Sequence, residues 1–247
     1  MSDITDNKEN TEATKSKKPV RKVFKWILGI FLIAAVAVIG YACYLAVELG
    51  RIDPENIYSN IEMSSYLYDS EGNEIDRLYY TEDRETVAID EIPEQTRNAF
   101  IAIEDKTFYR HHGLNMKRMV GAVLSKLTGH SSEISGTSTI TQQLARNAFL
   151  PEIKSQKTLK RKFKEIVYAL KIESDLSKEE ILDAYLNTIY LGYGCYGIKS
   201  AAYTYFGKDV SELTAAECAS IIAITQNPSK WNPFQHPDNN RKRQLYV

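Results

Sequence analysis

The 247-residue chain is 43% hydrophobic and 26% charged, with 31 Lys and Arg against 32 Asp and Glu and only 3 Cys. A net charge of −1 excludes a nucleic-acid binder that works by bulk charge, and the length suits one substantial core or one domain with appendages. The spacing of Cys195 and Cys218 outlines no metal site, so two small buried thiols are the simpler reading.

Residues 1–25 hold no core-forming pattern and read as a disordered tail. Its basic residues Lys15, Lys17, Lys18, Arg21, Lys22 and Lys25 crowd towards an uncharged apolar run of 22 residues, Trp26 to Val47. About 20 helical residues cross a hydrocarbon core, so 26–47 is expected to be a single transmembrane helix. Six basic residues before it, against Glu48, Arg51, Asp53 and Glu55 after it, place the N-terminus in the cytoplasm and the rest outside. A cleaved leader fits less well, because its apolar part is typically about 7–15 residues long.

Residues 48–92 read as a linker containing a β-hairpin. Residues 48–62 are a short polar connector with Pro54. Tyr66-Leu67-Tyr68, a turn over Asp69 to Asn73, then Ile75 and Leu78-Tyr79-Tyr80 form the hairpin, and Thr86 to Ile89 suggests one further strand. From Pro93 the pattern is helical and runs through Phe100, Ile101 and Ile103 to the pair Glu104-Asp105. A carboxylate at a helix end beside buried surface suits acid or base chemistry, although a surface Glu is the blander reading. Phe108, His111, His112 and Gly113 follow, the Gly implying a sharp turn.

Met116, Met119, Val120, Val123, Leu124 and Leu127 mark one helical face, with Lys117, Arg118 and Lys126 off it. Such a stripe serves either a core or a membrane interface. Thr128 to Ser135 reads as a mobile loop. Gly136-Thr137-Ser138-Thr139-Ile140-Thr141-Gln142-Gln143 is too polar for an ordinary core helix.

Thr158 to Glu173 is expected to be a helix burying Phe163, Ile166, Val167 and Leu170. On it Glu165 follows Arg161 and Lys162 at the spacing of a surface ion pair. Ser177 to Glu180 is a capping box that opens a helix with Ile181, Leu182, Tyr185, Leu186 and Ile189 inward. Gly192, Gly194 and Gly197 read as turns, since no strand precedes them and no Lys-Ser/Thr pair stands directly after Gly197 as a phosphate loop needs. Ser211 to Gln226 is a further helix, boxed by Thr214 and Glu217.

Four ordered motifs carry a resemblance. They are Glu104-Asp105-x-x-Phe108-x-x-His111-x-Gly113, Gly136-x-Ser138-Thr139-Ile140-Thr141-Gln142-Gln143, Arg161-Lys162-x-x-Glu165 and Ile181-Leu182-x-x-Tyr185-Leu186-Asn187. Together they resemble the peptidoglycan glycosyltransferases of family 51, the polymerase domain of class A penicillin-binding proteins and monofunctional transglycosylases. A fifth motif appears cut short as Arg243-x-x-x-Val247, so the chain reads as a fragment, with 93–247 as the glycosyltransferase domain. A number of relatives carry an Arg where this chain has Gly121. No Ser-x-x-Lys nucleophile motif occurs, so no β-lactam acylation is expected of this chain.

The resemblance implies a mainly α, lysozyme-like head with a smaller membrane-facing jaw lobe, after the transmembrane helix and hairpin. It implies polymerisation of lipid II into β-1,4-linked glycan, with inversion at the anomeric carbon and release of polyprenyl diphosphate. Glu104 would be the base and Asp105 and Phe108 its supports. Arg146, Arg161 and Lys162, with Ser138, Thr139, Gln143 and Asn187, would hold substrate and diphosphate. Glu165 would orient those cations or share a divalent Mg or Mn with the diphosphate, no cofactor being required with certainty. By analogy with inverting glycosidases the two carboxyls should stand more than about 6 Å apart. Implied partners are lipid II, the growing lipid-linked glycan, membrane lipids and cell-division or elongation proteins. The rivals are a lysozyme-like muramidase or lytic transglycosylase, and an inactive anchored scaffold.

Overall fold

The computed structural model describes residues 18–59, 64–78, 82–128, 136–156 and 158–247, and divides the chain into two units between Tyr44 and Leu45. The tail up to Lys17, the strand residues Tyr79 and Tyr80, and the expected loop after Thr128 lie outside the described residues.

The first unit is helical. Helix α1 (Lys18–Leu49) starts before the apolar run, so the last eight residues of the expected disordered tail are helical. Once the apolar run is helical, each residue added in front gains a hydrogen bond, and Pro19 is tolerated in a first turn. Its Val23–Leu49 stretch is long and apolar enough to cross a membrane, and Trp26 and Phe31 are 75% and 70% exposed.

The second unit is mainly helical. It contains α2 (Pro54–Ser59), α3 (Glu94–Glu104), α4 (Met116–Leu127), α5 (Ile140–Phe149), α6 (Leu159–Asp175) and α7 (Lys178–Thr188). Then follow α8 (Ile198–Phe206), α9 (Ala215–Ile224), α10 (Pro228–Trp231) and α11 (Pro237–Gln244). The expected hairpin is present as antiparallel β1 (Ser65–Tyr68) and β2 (Glu74–Leu78). Asp69 builds its turn by accepting the Glu71 and Asn73 N–H groups, each at 2.8 Å.

Helix α5 is central and packs on α6 and α7, while α9 packs on α3, α8 and α11. Phe100, Phe108, Ile140, Leu144, Ile172, Tyr185 and Ile222 fill the core. The expectation that Gly136 to Gln143 is too polar for a core is corrected here: Ile140 to Ala145 are all buried. Most of the buried polar groups there have partners, the Gln142 Nε2 amide being the exception. Thr139 accepts the Gln142 N–H at 3.1 Å while Gln142 Oε1 accepts the Thr139 N–H at 3.2 Å, and Thr141 donates to Glu173 at 2.6 Å.

Two further expectations change. Thr86 to Ile89 joins no ladder; the strand is β3 (Asp83–Arg84), parallel to β4 (Cys195–Tyr196). Val87 pairs with a side chain instead: it donates to Asn187 Oδ1 at 2.9 Å and accepts from Asn187 Nδ2 at 2.9 Å. On α6, Leu170 is 46% exposed and the buried face is Glu165, Val167, Tyr168, Ala169 and Ile172. Close approach fixes that rotation, since a Cβ on Gly113 (φ +80°) would stand 2.9 Å from the Ala169 carbonyl oxygen.

The predicted capping boxes at Ser177/Glu180 and Thr214/Glu217 are formed. The latter opens α9 after a separate 3₁₀ turn at Val210–Glu212, so Ser211 to Gln226 is not one helix.

Candidate active site

Helix α3 ends at Glu104, so the carboxylate leaves the last turn where the backbone turns away. Gln143 Nε2 donates to Glu104 Oε2 at 2.7 Å, and the Thr225 hydroxyl donates to Oε1. Two different helices thus orient one carboxylate. Glu104 lines a cleft of about 280 Å³ with Ile103, Arg118, Ser138, Arg146 and Arg243 among its other walls. A larger cleft of about 550 Å³, walled by Glu82, Arg84, Lys154, Tyr190 and Tyr196 among others, shares Gln143, Arg146 and Thr225 with the first.

Asp105, the next residue, is fully buried and acts as a hub. Its Oδ2 accepts the N–H of Ile140, the first residue of α5, at 3.2 Å and lies 2.7 Å from His111 Nε2. Asp105 therefore ties the end of α3 to the start of α5, which carries Gln143. A carboxylate is also favoured at a helix N-terminus. Phe108, fully buried, stands edge-on to His111, and the Lys178 ammonium lies 4.5 Å over its ring. Asp105 and Phe108 thus both meet His111, one by its carboxylate and one by its ring edge.

Glu165 is fully buried, which overturns the surface ion-pair reading. Arg161 is bonded to it, Lys162 Nζ lies 3.1 Å from Oε2 and Arg146 4.0 Å from Oε1. Lys162 also donates to Ser138 Oγ at 3.1 Å and Gln142 Oε1 at 3.3 Å, which links the cation group to the cleft wall. A buried anion binding three cations holds them close against their mutual repulsion.

Burial, then the charges of Arg146 and Arg161, push the Lys162 ammonium down to about 8. Burial lowers Arg146 and Arg161 in the same direction. Desolvation, and next the Glu104 charge, push the enclosed Tyr185 phenol well above its ordinary value, and its hydroxyl has no hydrogen-bond partner.

The depressed Lys162 value carries a sign for each property. Below about 8 the ammonium is charged at a cost to the fold, and that cost fades between about 8 and the ordinary 10.5, so stability rises over this window. For a Lys162 that holds an anionic group of the substrate, turnover is expected to move the other way, because only the charged form attracts an anion. Turnover should therefore fall as pH rises through 8, and Lys162→Arg should flatten that alkaline limb. An identical limb in the variant would show that another group titrates there.

Ser138, Gln143 and Arg146 share the cleft with Glu104, and Lys162 reaches it through Ser138. Thr139 is buried as the α5 cap, its hydroxyl donating to the Gly113 carbonyl at 2.6 Å. Asn187 is not brought to the cleft; it is 1% exposed and committed to Val87. Sequence reasoning missed Thr225, Gln226 and Arg243 as cleft residues. The polar run Thr225-Gln226-Asn227 closing an apolar helix was the available signal. Arg118 lines the cleft and approaches Asp105 to 3.8 Å, whereas Gly121 is exposed on the same helix.

Among the described residues no three His, Cys, Asp or Glu side chains converge, and the neighbours of Glu165 are cations. This donor set does not fit a divalent-metal cage.

The second unit is thus a mainly helical domain holding an acid over a cleft with a cationic wall. A family model described as Transglycosylase matches residues 71–247, and the chain belongs to that family. Penicillin-binding protein 1F of Bacillus subtilis is 43% identical over 223 residues, 90% of this chain and 30% of that protein. Penicillin-binding protein 1A of Clostridium perfringens is 40% identical over 234 residues, 92% of this chain and 34% of that protein. The chain thus spans about a third of the length of these curated relatives. A crystal structure of penicillin-binding protein 1A from Haemophilus influenzae aligns over 74% of this chain and 17% of that one, at 22% identity and a TM-score of 0.37.

Proposed function

We propose that the chain polymerises lipid II into β-1,4-linked glycan strands. The observation that carries this reading is a single cleft lined by the Glu104 carboxylate and by Arg146 and Ser138, the latter bonded to the Lys162 ammonium. Glu104, held by Gln143 and Thr225, takes the proton from the acceptor 4-hydroxyl. The acceptor oxygen then attacks the anomeric carbon of the donor, the bond to diphosphate breaks, and its electron pair leaves on the diphosphate with inversion.

Diphosphate needs positive charge more than a proton. Arg146 and Lys162 supply it at the cleft, and Arg161 and Glu165 hold them in place. Incubation with purified lipid II tests this: growing glycan oligomers are expected. Cleavage of preformed glycan without growth would instead make the chain a muramidase or lytic enzyme, and no turnover at all would make it a scaffold.

The basic N-terminal flank supports a cytoplasmic N-terminus and a catalytic domain on the outer membrane face. The growing glycan, membrane lipids and cell-division or elongation proteins are the partners this reading carries with it. Met116, Val120 and Leu124 of α4 are 60%, 53% and 55% exposed, which supports a lipid-facing stripe. Val120→Asp with Leu124→Asp should lower turnover of membrane-embedded substrate while circular dichroism and melting temperature stay near wild type. Loss of helicity before loss of activity would show that the stripe is packing surface.

A further inference from the structure

Composition reads residues 48–62 as a connector, yet its described part is docked on the catalytic unit. Ile52 and Ile57 are 2% and 1% exposed. The Ile52 N–H donates to Asp175 Oδ2 at 2.9 Å at the end of α6, a carboxylate that also holds Lys171 at 2.8 Å. The Tyr58 hydroxyl donates to Asp183 Oδ2 at 2.9 Å on α7, against which α2 packs. Burial first and Asp183 next raise the Tyr58 phenol above its ordinary value, so it stays a donor across the working pH range.

The grip falls on functional helices. Helix α6 carries Arg161, Lys162 and Glu165, and α7 carries Tyr185 and Asn187. Along the chain, Ile52 comes five residues after Val47, the last residue of the uncharged run. Five extended residues reach at most about 18 Å. A free linker as far as residue 62 would reach about three times as far.

We propose that residues 50–59 are a positioning strap: by docking Ile52, Ile57 and Tyr58 on α6 and α7, they fix how far the catalytic cleft stands from the end of the apolar helix, matching it to a substrate whose lipid stays in the bilayer. This rests on the lipid-linked substrate of the proposed function. Tyr58 and Ile52 are positioning residues, since they touch neither Glu104 nor the cation group.

Two sets of variants of the full chain test it, each assayed with lipid II in vesicles and again in detergent micelles, where no bilayer fixes the height. In the first, eight Gly and Ser residues inserted between Gly50 and Arg51 leave every strap contact in place and lengthen the tether by up to about 27 Å. In the second, Tyr58→Phe with Ile52→Ala and Ile57→Ala loosens the strap, removing the Tyr58 hydroxyl bond and both buried side chains and leaving only the Ile52 N–H bond to Asp175. Both should lose about ten-fold or more of the vesicle turnover, as misplacement of reacting groups does. Both should stay within about two-fold of wild type in micelles, where height imposes no constraint.

Wild-type turnover of the insertion variant in vesicles overturns the proposal, as does an equal loss in both media, which is what simple destabilisation gives. Failure of the wild-type chain to extend lipid II in either medium would instead remove the proposed function itself.

Discussion

Glu104→Gln should leave a folded protein whose glycan polymerisation falls by about 10²–10⁴-fold, the usual worth of a positioned general base. The substitution is nearly isosteric: the amide oxygen can accept from Gln143 Nε2 and the amide NH2 can donate to the Thr225 hydroxyl, which keeps its own bond to the Ile222 carbonyl, so the local frame survives while the proton acceptor is lost. Melting temperature and affinity for substrate should therefore stay close to wild type while kcat collapses. Thr225→Ala should behave as a weaker version of the same change, since it frees one oxygen of Glu104 and leaves the base in place. Polymerisation at the wild-type rate by the Gln variant would remove Glu104 as the base and reopen the cleft to another assignment.

The second large effect is expected at Glu165, and it should appear in stability and turnover together. Glu165→Ala leaves Arg161, Lys162 and Arg146 facing one another with their shared anion gone. Removing one partner from a buried charge group typically costs about 3–5 kcal/mol. For a domain of this size that is on the order of 10 °C in melting temperature. Turnover should fall as well, because Lys162 loses one of the three contacts that hold it against the cleft wall.

Arg161→Ala and Lys162→Ala should separate the two quantities. Each leaves Glu165 with two cations, so melting temperature changes little while turnover of the diphosphate-linked donor drops steeply. Thermal unfolding and steady-state rates on the three variants settle the matter. A Glu165→Ala protein as stable as wild type would mean that this carboxylate does not hold the cation group together. An unstable Lys162→Ala protein with normal turnover would make the group a structural ion network only.

Much of the frame was legible along the chain because local rules set it. The 22-residue uncharged run, the capping boxes at Ser177 and Thr214, and the turn at Asp69 each depend on residues within a few positions of one another. The inward face of α7 was legible for the same reason: Ile181, Leu182, Tyr185 and Leu186 are apolar at helical spacing with no charge competing for the core.

The errors fall where distant partners override local pattern. Helix α6 was assigned its apolar stripe, but its buried face includes the charged Glu165, because Arg146 of α5 and the close approach of Gly113 favour that rotation while Arg161 and Lys162 of α6 itself pair with the carboxylate. The strand expected at Thr86 to Ile89 has its edge completed by the amide of Asn187, 100 residues away, which no β pattern announces. Thr225 lies 121 residues from the carboxylate it orients.

The sequence by itself determined the membrane-spanning length, the helical class, the four ordered motifs and the pairing of an acid at a helix end with an acid among cations. Only the tertiary structure decided what surrounds those acids. It put Gln143 and Thr225 on Glu104, made Asp105 the hub between α3 and α5, buried Glu165 under three cations, and docked the supposed connector on α6 and α7. The physical reason is the same in each case. Burying a charge or a polar backbone group costs several kcal/mol unless a partner is supplied, and here the partners come from far along the chain.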